Sequence, residues 1–305
     1  MLSVIICTYN RSKYIYNVLE SLAKGTLPPE EYEIVLVDNN CTDNTSAELD
    51  RFAVDWPQVQ LRRFVETHQG LSYARNRGIR EAKGEVLVYV DDDAFVNERY
   101  LENYKELFER RTDVSAAGGP IIPHYESGAE PRWMTYHLKR LLTGYLFFGN
   151  KEKPFPGDNY PGGGNAAYRK EVFEEVGLYN VELGRKGGNL GCGEEKDIFA
   201  KMKAAGMRFV YTPGSILYHS IPAYKLGKDY FDRVTCGIGI SERKRTLAIS
   251  RKEYAVRLAK ELVKWAGTLV LSLGFLLRLK PQCSGKLLRF RWNVSKRLLT
   301  HEISF

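Results

Sequence analysis

At 305 residues, 44% hydrophobic and 27% charged, the chain is long enough for one large globular domain, or for a domain with an appendage. Its net charge of +8 is unevenly placed: residues 241–305 hold 15 Lys/Arg against 4 Asp/Glu, which leaves residues 1–240 at −3. That split excludes a basic nucleic-acid surface running over the whole molecule. The five cysteines, Cys7, Cys41, Cys192, Cys236 and Cys283, are far apart and form no C-x-x-C pair. Reduced thiols in the cytosol are therefore expected rather than a disulfide framework. A strand pattern begins at Leu2, so no secretory signal is expected.

The first half alternates strand and helix signals, the pattern of a parallel α/β sheet. Leu2–Cys7 is a continuous apolar run, followed by a polar turn and a helical pattern to Lys24, with Gly25 as the stop. Tyr32–Val37 predicts a second strand, and Thr42 or Asp43 then caps a helix through Val54. Val59–Phe64, Glu85–Val90 and Val114–Ala117 predict further strands, with helices over Leu71–Lys83 and Glu98–Arg111 between them. Residues 118–165 read as a long irregular segment rich in Gly, Pro and aromatics, a length that in a compact domain points to function or disorder. Trp133, Tyr136 and the Tyr145–Phe148 cluster are candidates for stacking on a ligand or for packing in a core or lid. Short helices over Lys170–Val176 and from Glu194 or Glu195 to Ala205 follow, then strands at Arg208–Tyr211 and Ile216–His219.

Three carboxylates, Asp91-Asp92-Asp93, stand at the end of the buried strand pattern 85–90. Adjacent acids repel, so that placement needs a cation or a capping role to compensate it. Hard divalent ions take oxygen ligands, and Mg²⁺ is held by a few carboxylates together with substrate phosphates. The polar clusters Thr8-Tyr9-Asn10 and Asp38-Asn39-Asn40 also fall at strand carboxyl ends, where open α/β sheets bind ligands.

Taken in order, these motifs resemble a family 2 glycosyltransferase of GT-A fold, over roughly residues 2–220. The motifs are Ser3–Arg11, Val37–Asp43, Gln69–Gly78, Asp91–Asp93, Gly163-Gly164-Asn165 and Gly193–Asp197. The resemblance implies an inverting enzyme on a Rossmann-like, mostly parallel sheet flanked by helices. It implies that Thr8, Tyr9, Asn10, Arg11, Asp38, Arg75, Asp91 and Asp92 serve the donor nucleotide. Arg75 would meet the phosphates, its planar fork suiting their oxygens. Asp93 and Asp91, with His219 as a third ligand or a merely structural residue, would hold Mn²⁺ or Mg²⁺. Asp92, one residue out of phase on a strand, would point to the opposite side. Gly164 and Asn165 would belong to the sugar and acceptor site. The general base falls on Glu195, where the family usually has Asp, with Glu194 a competitor. Adjacent acids at a helix start are also favoured by the helix dipole alone.

Residues 251–299 read as a basic amphipathic extension. Tyr254, Leu258, Leu262, Trp265 and Leu269 share helical spacing, and Trp265–Leu277 carries no charge over 13 residues. That run is too short to cross a bilayer, which takes about 20 apolar residues. Pro281 ends it, and 286–299 adds Leu287, Leu288, Trp292 and Leu299 among five basic residues. Basic helices bearing Trp and Leu suit a membrane interface. The alternative is an extension packed on the catalytic domain or on a second copy in a homo-oligomer.

The expectation is a catalytic domain over 1–240, with a nucleotide half 1–117 and an acceptor half 118–240, and the extension over 241–305. It would be a cytoplasmic enzyme, peripheral on the inner face of the membrane. It would move sugar from a nucleotide-diphosphate sugar to a glycan, lipopolysaccharide or lipid-linked acceptor, with no nucleic-acid partner. The rivals are a sugar nucleotidyltransferase, a catalytically inactive sugar-nucleotide-binding module, and a nucleic-acid binder acting through the tail. The turn Thr8–Ser12 lacks the glycines that a nucleotidyltransferase loop usually carries.

Overall fold

A computed structural model describes residues 1–187 and 193–300, and the chain folds as two compact units. The first comprises Met1–His124, Gly144–Glu182 and Glu194–Ser220. The second comprises Tyr125–Thr143 and the described residues of 183–193 and 221–300. The end of the predicted extension's Lys286–Leu299 stretch is described, whereas residues 188–192 of the glycine-rich run, Cys192 among them, lie outside the described residues.

The first unit opens with β1 (Leu2–Thr8), α1 (Ser12–Ala23), β2 (Tyr32–Asp38), α2 (Thr45–Asp55), β3 (Leu61–Val65), α3 (Leu71–Glu81) and β4 (Val86–Val90). All four strands run parallel in the order β3-β2-β1-β4. Every residue of β4 is buried, as are six of the seven in β1 and in β2, which explains their near-continuous apolar runs. Successive side chains go to opposite faces: Val4, Ile6, Ile34, Leu36, Val88 and Val90 join one core, whereas Ile5, Val35, Val37, Leu87 and Tyr89 join the other.

Beyond β4 come β5 (Ala94–Val96), α4 (Tyr100–Arg110), β6 (Ala116–Gly118), β7 (Ile121–Tyr125), α5 (Tyr136–Thr143), β8 (Lys153–Pro154), β9 (Asn165–Arg169), α6 (Val172–Glu175), α7 (Glu194–Ala204), β10 (Phe209–Tyr211) and β11 (Leu217–Ile221). The sheet does not continue directly from β4 to β6. β9 slots between them, antiparallel to both, and the full order is β3-β2-β1-β4-β9-β6-β10-β8. This insertion matters for the site, because it sets Asn165 opposite Val90. A smaller sheet, β5-β11-β7, begins immediately after the acidic triplet. The segment 118–165 thus contains strands and a helix, where the sequence reads as irregular.

The second unit is largely helical: α5, then α8 (Lys228–Ile249), α9 (Arg251–Leu277) and α10 (Pro281–Leu299). Residue 240 falls within α8. Trp133 packs edge-on against Phe231 in this unit, while Phe148 in the first unit packs on Phe155 and Tyr211. The stripe read from α9 divides in the fold. The Tyr254 hydroxyl donates to the Leu298 carbonyl and Trp265 Nε1 to Ser295 Oγ, whereas Leu262 and Leu269 face outward. No described helix is long and apolar enough to cross a membrane.

Candidate active site

The polar clusters Thr8–Asn10, Asp38–Asn40 and Asp91–Asp93 lie at the carboxyl ends of β1, β2 and β4. Asp38 ends β2 in register with Thr8 and accepts a hydrogen bond from the Cys41 amide at 2.7 Å. Asn10 takes a left-handed backbone, φ 54°, and its Oδ1 accepts from the Thr42 amide at 2.7 Å, tying the turns after β1 and β2 together. Tyr9 is 39% exposed and so presents its ring at this edge. Burial pushes the Cys7 thiol up to about 12, marking it as a protonated packing group rather than a nucleophile.

The triplet itself departs from the alternation expected of a strand. β4 ends at Val90, and Asp92 and Asp93 lie in a turn. Asp92 therefore does not point away. Its Oδ2 accepts from the Tyr9 amide at 3.3 Å and its Oδ1 lies 3.7 Å from Arg11 Nε, while Asp93 Oδ2 lies 3.9 Å from the same nitrogen. Burial, then the charge of Asp93, pushes Asp92 up to about 7. Asp91 goes elsewhere: its carboxylate covers Gly164, where a Cβ would come within 2.1 Å of Oδ2.

Gly163 and Gly164 form the joint of the site. A Cβ on Gly163 would sit 1.9 Å from Glu195 Oε1 and 2.7 Å from Arg75 Nη2. Two adjacent residues without side chains thus admit the carboxylates of Asp91 and Glu195 from different elements. Asn165 anchors this joint instead of lining it. It is wholly buried; its Oδ1 accepts from the hydroxyls of Tyr100 and Tyr104, and its Nδ2 donates to the carbonyls of Pro120 and Ser215. Those four bonds exhaust the amide, leaving nothing for a sugar.

Arg75 on α3 is only 3% exposed and is committed to the acidic pair that opens α7. Its Nη1 lies 3.1 Å from Glu194 Oε1 and 3.0 Å from Glu195 Oε1. One guanidinium facing two carboxylates cannot neutralise both, and the pair splits. Burial, then the Glu195 charge, pushes Glu194 up to about 8. Its Oε2 is buried with no hydrogen-bond partner, an arrangement that favours the neutral acid. For Glu195 burial also works upward, but Arg75 outweighs it and holds the carboxyl below its ordinary range. Two glutamates side by side are thus set to opposite protonation states at neutral pH.

His219 on β11 stands opposite Ala94 of β5, and this pairing carries its Nε2 to 3.2 Å from Asp93 Oδ1. Asp91, Asp93 and His219 offer a carboxylate and imidazole donor set suited to Mn²⁺ or Mg²⁺. Among the described residues no group of three or more His, Cys, Asp or Glu is already gathered as a metal cluster. Asp93 and His219 are together, while Asp91 rests over Gly164. Asn39, read from the sequence only as a member of the cluster after β2, has a role of its own. Its amide bonds the carbonyls of Glu66 and His68 and the Gly70 amide, fixing the turn that leads into α3 and hence Arg75. The only signal for it was its place between Asp38 and Asn40.

The acid-lined edge of this mixed α/β sheet defines a class, the GT-A glycosyltransferases. The chain belongs to Glycosyl transferase family 2, whose profile matches residues 3–177. It is 26% identical over 247 residues to the glucosyl-dolichyl phosphate glucuronosyltransferase of Haloferax volcanii, covering 75% of this chain and 72% of that protein. It is also 26% identical over 230 residues to the succinoglycan biosynthesis protein ExoM of Rhizobium meliloti, covering 71% and 66%. With other glycosyltransferases it matches, the chain spans a smaller share of their length, such as 20% for Staphylococcus aureus TarS. Its fold is similar to that of the mannosyltransferase PcManGT of Pyrobaculum calidifontis, solved with GDP-Man and Mn²⁺, at a TM-score of 0.63 and 18% identity over 99% of this chain and 88% of that one.

Proposed function

We propose that the chain is a metal-dependent, inverting glycosyltransferase that uses a nucleotide-diphosphate sugar. The observation that carries this reading is the acidic pair meeting at Gly163-Gly164, with an ionised Glu195 against Gly163 and Asp91 against Gly164. Thr8, Tyr9, Asn10, Arg11 and Asp38 receive the nucleotide, and the Asp92–Asp93 turn faces its diphosphate. Asp91, Asp93 and His219 are the residues that would hold Mn²⁺ or Mg²⁺. When bound, the ion supplies Lewis-acid stabilisation of the departing diphosphate.

Glu195 is the general base. Its carboxylate takes the proton of the acceptor hydroxyl as that oxygen bonds to the anomeric carbon. The bond from that carbon to the diphosphate breaks, and the nucleotide diphosphate leaves with the electron pair. A single ionised carboxylate facing the acceptor supports one in-line displacement, hence inversion. Glu194, neutral, is a poor base at the same pH. Arg75 orients both acids and keeps Glu195 ionised. The acceptor is a glycan or lipid-linked sugar of surface polysaccharide assembly. The names of the Haloferax and Rhizobium relatives support that choice. The basic charge and exposed apolar residues of 251–299 support a location at the inner face of the membrane.

The test is a thermal-shift panel of nucleotides and nucleotide sugars with and without Mn²⁺, on wild type and Asp93→Ala. One nucleotide should raise the melting temperature of wild type in a metal-dependent way, by mass action, and the metal-dependent part should vanish in Asp93→Ala. Equal shifts in both proteins would remove Asp93 from the metal site.

A further inference from the structure

Helix α9 is built inside out. Its buried side chains are polar: Arg257, Glu261, Thr268 and Ser272. Its outward side chains include Leu262, Val263, Val270, Leu273 and Leu277, each between 58 and 77% exposed. A helix on a water-exposed surface normally shows the reverse arrangement. The inward face is stabilised by specific pairing. Arg257 bonds Glu242 at 2.9 Å and Glu261 at 2.7 Å, Arg291 of α10 bonds Glu261 at 3.0 Å, and Ser295 donates to Glu261 at 2.9 Å. These partners fix which side of α9 faces the protein. A contiguous apolar stripe is thereby left outside, of the kind that marks a contact surface.

Charge and length decide what covers it. Exposed basic residues flank the stripe at both ends, Arg251, Lys252 and Lys260 before it and Arg278 and Lys280 after it. The tail from residue 241 carries a net +11, which suits an anionic surface and opposes the approach of a second, equally charged copy. The uncharged run Trp265–Leu277 is 13 residues long, about 20 Å of helix, against about 30 Å of hydrocarbon in a bilayer. The helix is suited to lie along a membrane rather than through it. On α10, Trp292 is 62% exposed and has the amphipathic ring favoured at headgroup depth.

We propose that the outward face of α9, formed by Leu262, Val263, Val270, Leu273 and Leu277, seats in the interfacial layer of an anionic lipid bilayer, with the helix axis parallel to the surface. This rests on the membrane reading of residues 251–299 and adds the face that carries it. That face shares only Leu262 with the stripe of Tyr254, Leu258, Leu262, Trp265 and Leu269 expected from helical spacing.

The experiment is co-sedimentation of the full chain with vesicles of phosphatidylcholine alone or with added phosphatidylglycerol. It compares wild type with the triple variant Val270→Gln, Leu273→Gln, Leu277→Gln. Wild type should bind the anionic vesicles, and the variant should bind them at least about tenfold more weakly, at an unchanged melting temperature. Wild type that sediments with neither vesicle overturns the membrane reading as a whole. A variant that binds as well as wild type overturns only the choice of face, leaving the basic charges as the anchor. A dimeric wild type and monomeric variant on sizing, or a lowered melting temperature, would assign the face to protein packing and overturn the proposal. Leu273→Trp gives an independent reading: brominated lipid should quench its added fluorescence, and absence of quenching contradicts the assignment.

Discussion

Glu194 and Glu195 differ by one position and share one guanidinium, yet their surroundings drive them apart, and both stability and activity should report this. Glu194 keeps its proton in the fold up to about pH 8, whereas an unfolded glutamate releases it near 4.5. The folded state therefore holds the extra proton across that window, and stability falls as pH rises through it. Glu194→Gln removes the titration while keeping a neutral side chain. Its melting temperature should exceed that of wild type at pH 8, with the two converging below pH 5. Glu195 runs the other way: its depressed pKa adds stability above the unfolded value, lost as pH falls through the folded one. The glycine joint gives a second test at this scale. Gly163→Ala pushes a methyl into the Glu195 carboxylate, the far end of a flexible side chain, so the fold should survive. Displacing the base by about an ångström should nonetheless lower kcat roughly 100-fold, with the melting temperature within a few degrees of wild type.

Among the elements, β9 does most to assemble the site, and it was also the hardest to read. The strands β1, β2 and β4 were legible because buried parallel strands are continuous apolar runs, and their polar ends located Thr8, Asp38 and Asp91–Asp93. Asn165–Arg169 has no such run, its members being Asn, Ala, Ala, Tyr and Arg. Nothing local shows that it enters the sheet antiparallel between β4 and β6, so Asn165 looked like a ligand residue when it is a buried anchor. Arg75 was expected to meet the donor phosphates, but it is buried against Glu194 and Glu195, 119 and 120 positions away and beyond the reach of spacing arguments. Asp92 was misplaced because strand alternation was carried past the end of β4 into a turn. The α9 stripe failed differently: helical periodicity finds a face but cannot say whether that face points to protein or away from it. The buried ions settle that side. Burial raises the Glu261 pKa, but Arg257, Arg291 and Ser295 outweigh it and hold the carboxylate ionised. Glu261→Ala would leave two arginines without it, and thermal unfolding should show a loss of about 3–5 kcal/mol.

Across the whole molecule, charge follows the division of labour proposed above. The acidic motifs lie in residues 1–240, at a net −3, and the cationic surplus of +11 lies in 241–305. The compact units do not follow the expected boundaries at 117 and 240: Tyr125–Thr143 and the residues from Ile221 onward fall in the second unit, and α8 runs through residue 240. In the proposed function the polyanionic donor meets the sheet edge, and in the further proposal the lipid meets α9. The account stands or falls on the claim that the ionised glutamate, and not its neighbour, drives transfer at that edge. The decisive measurement is the rate of sugar transfer by Glu195→Gln and Glu194→Gln at neutral pH, with the donor identified by thermal shift and saturating Mn²⁺. Glu195→Gln should be slower by about 10²–10⁴-fold with donor binding intact, and Glu194→Gln should stay within about tenfold of wild type. Full activity in Glu195→Gln, or the larger loss in Glu194→Gln, would contradict it.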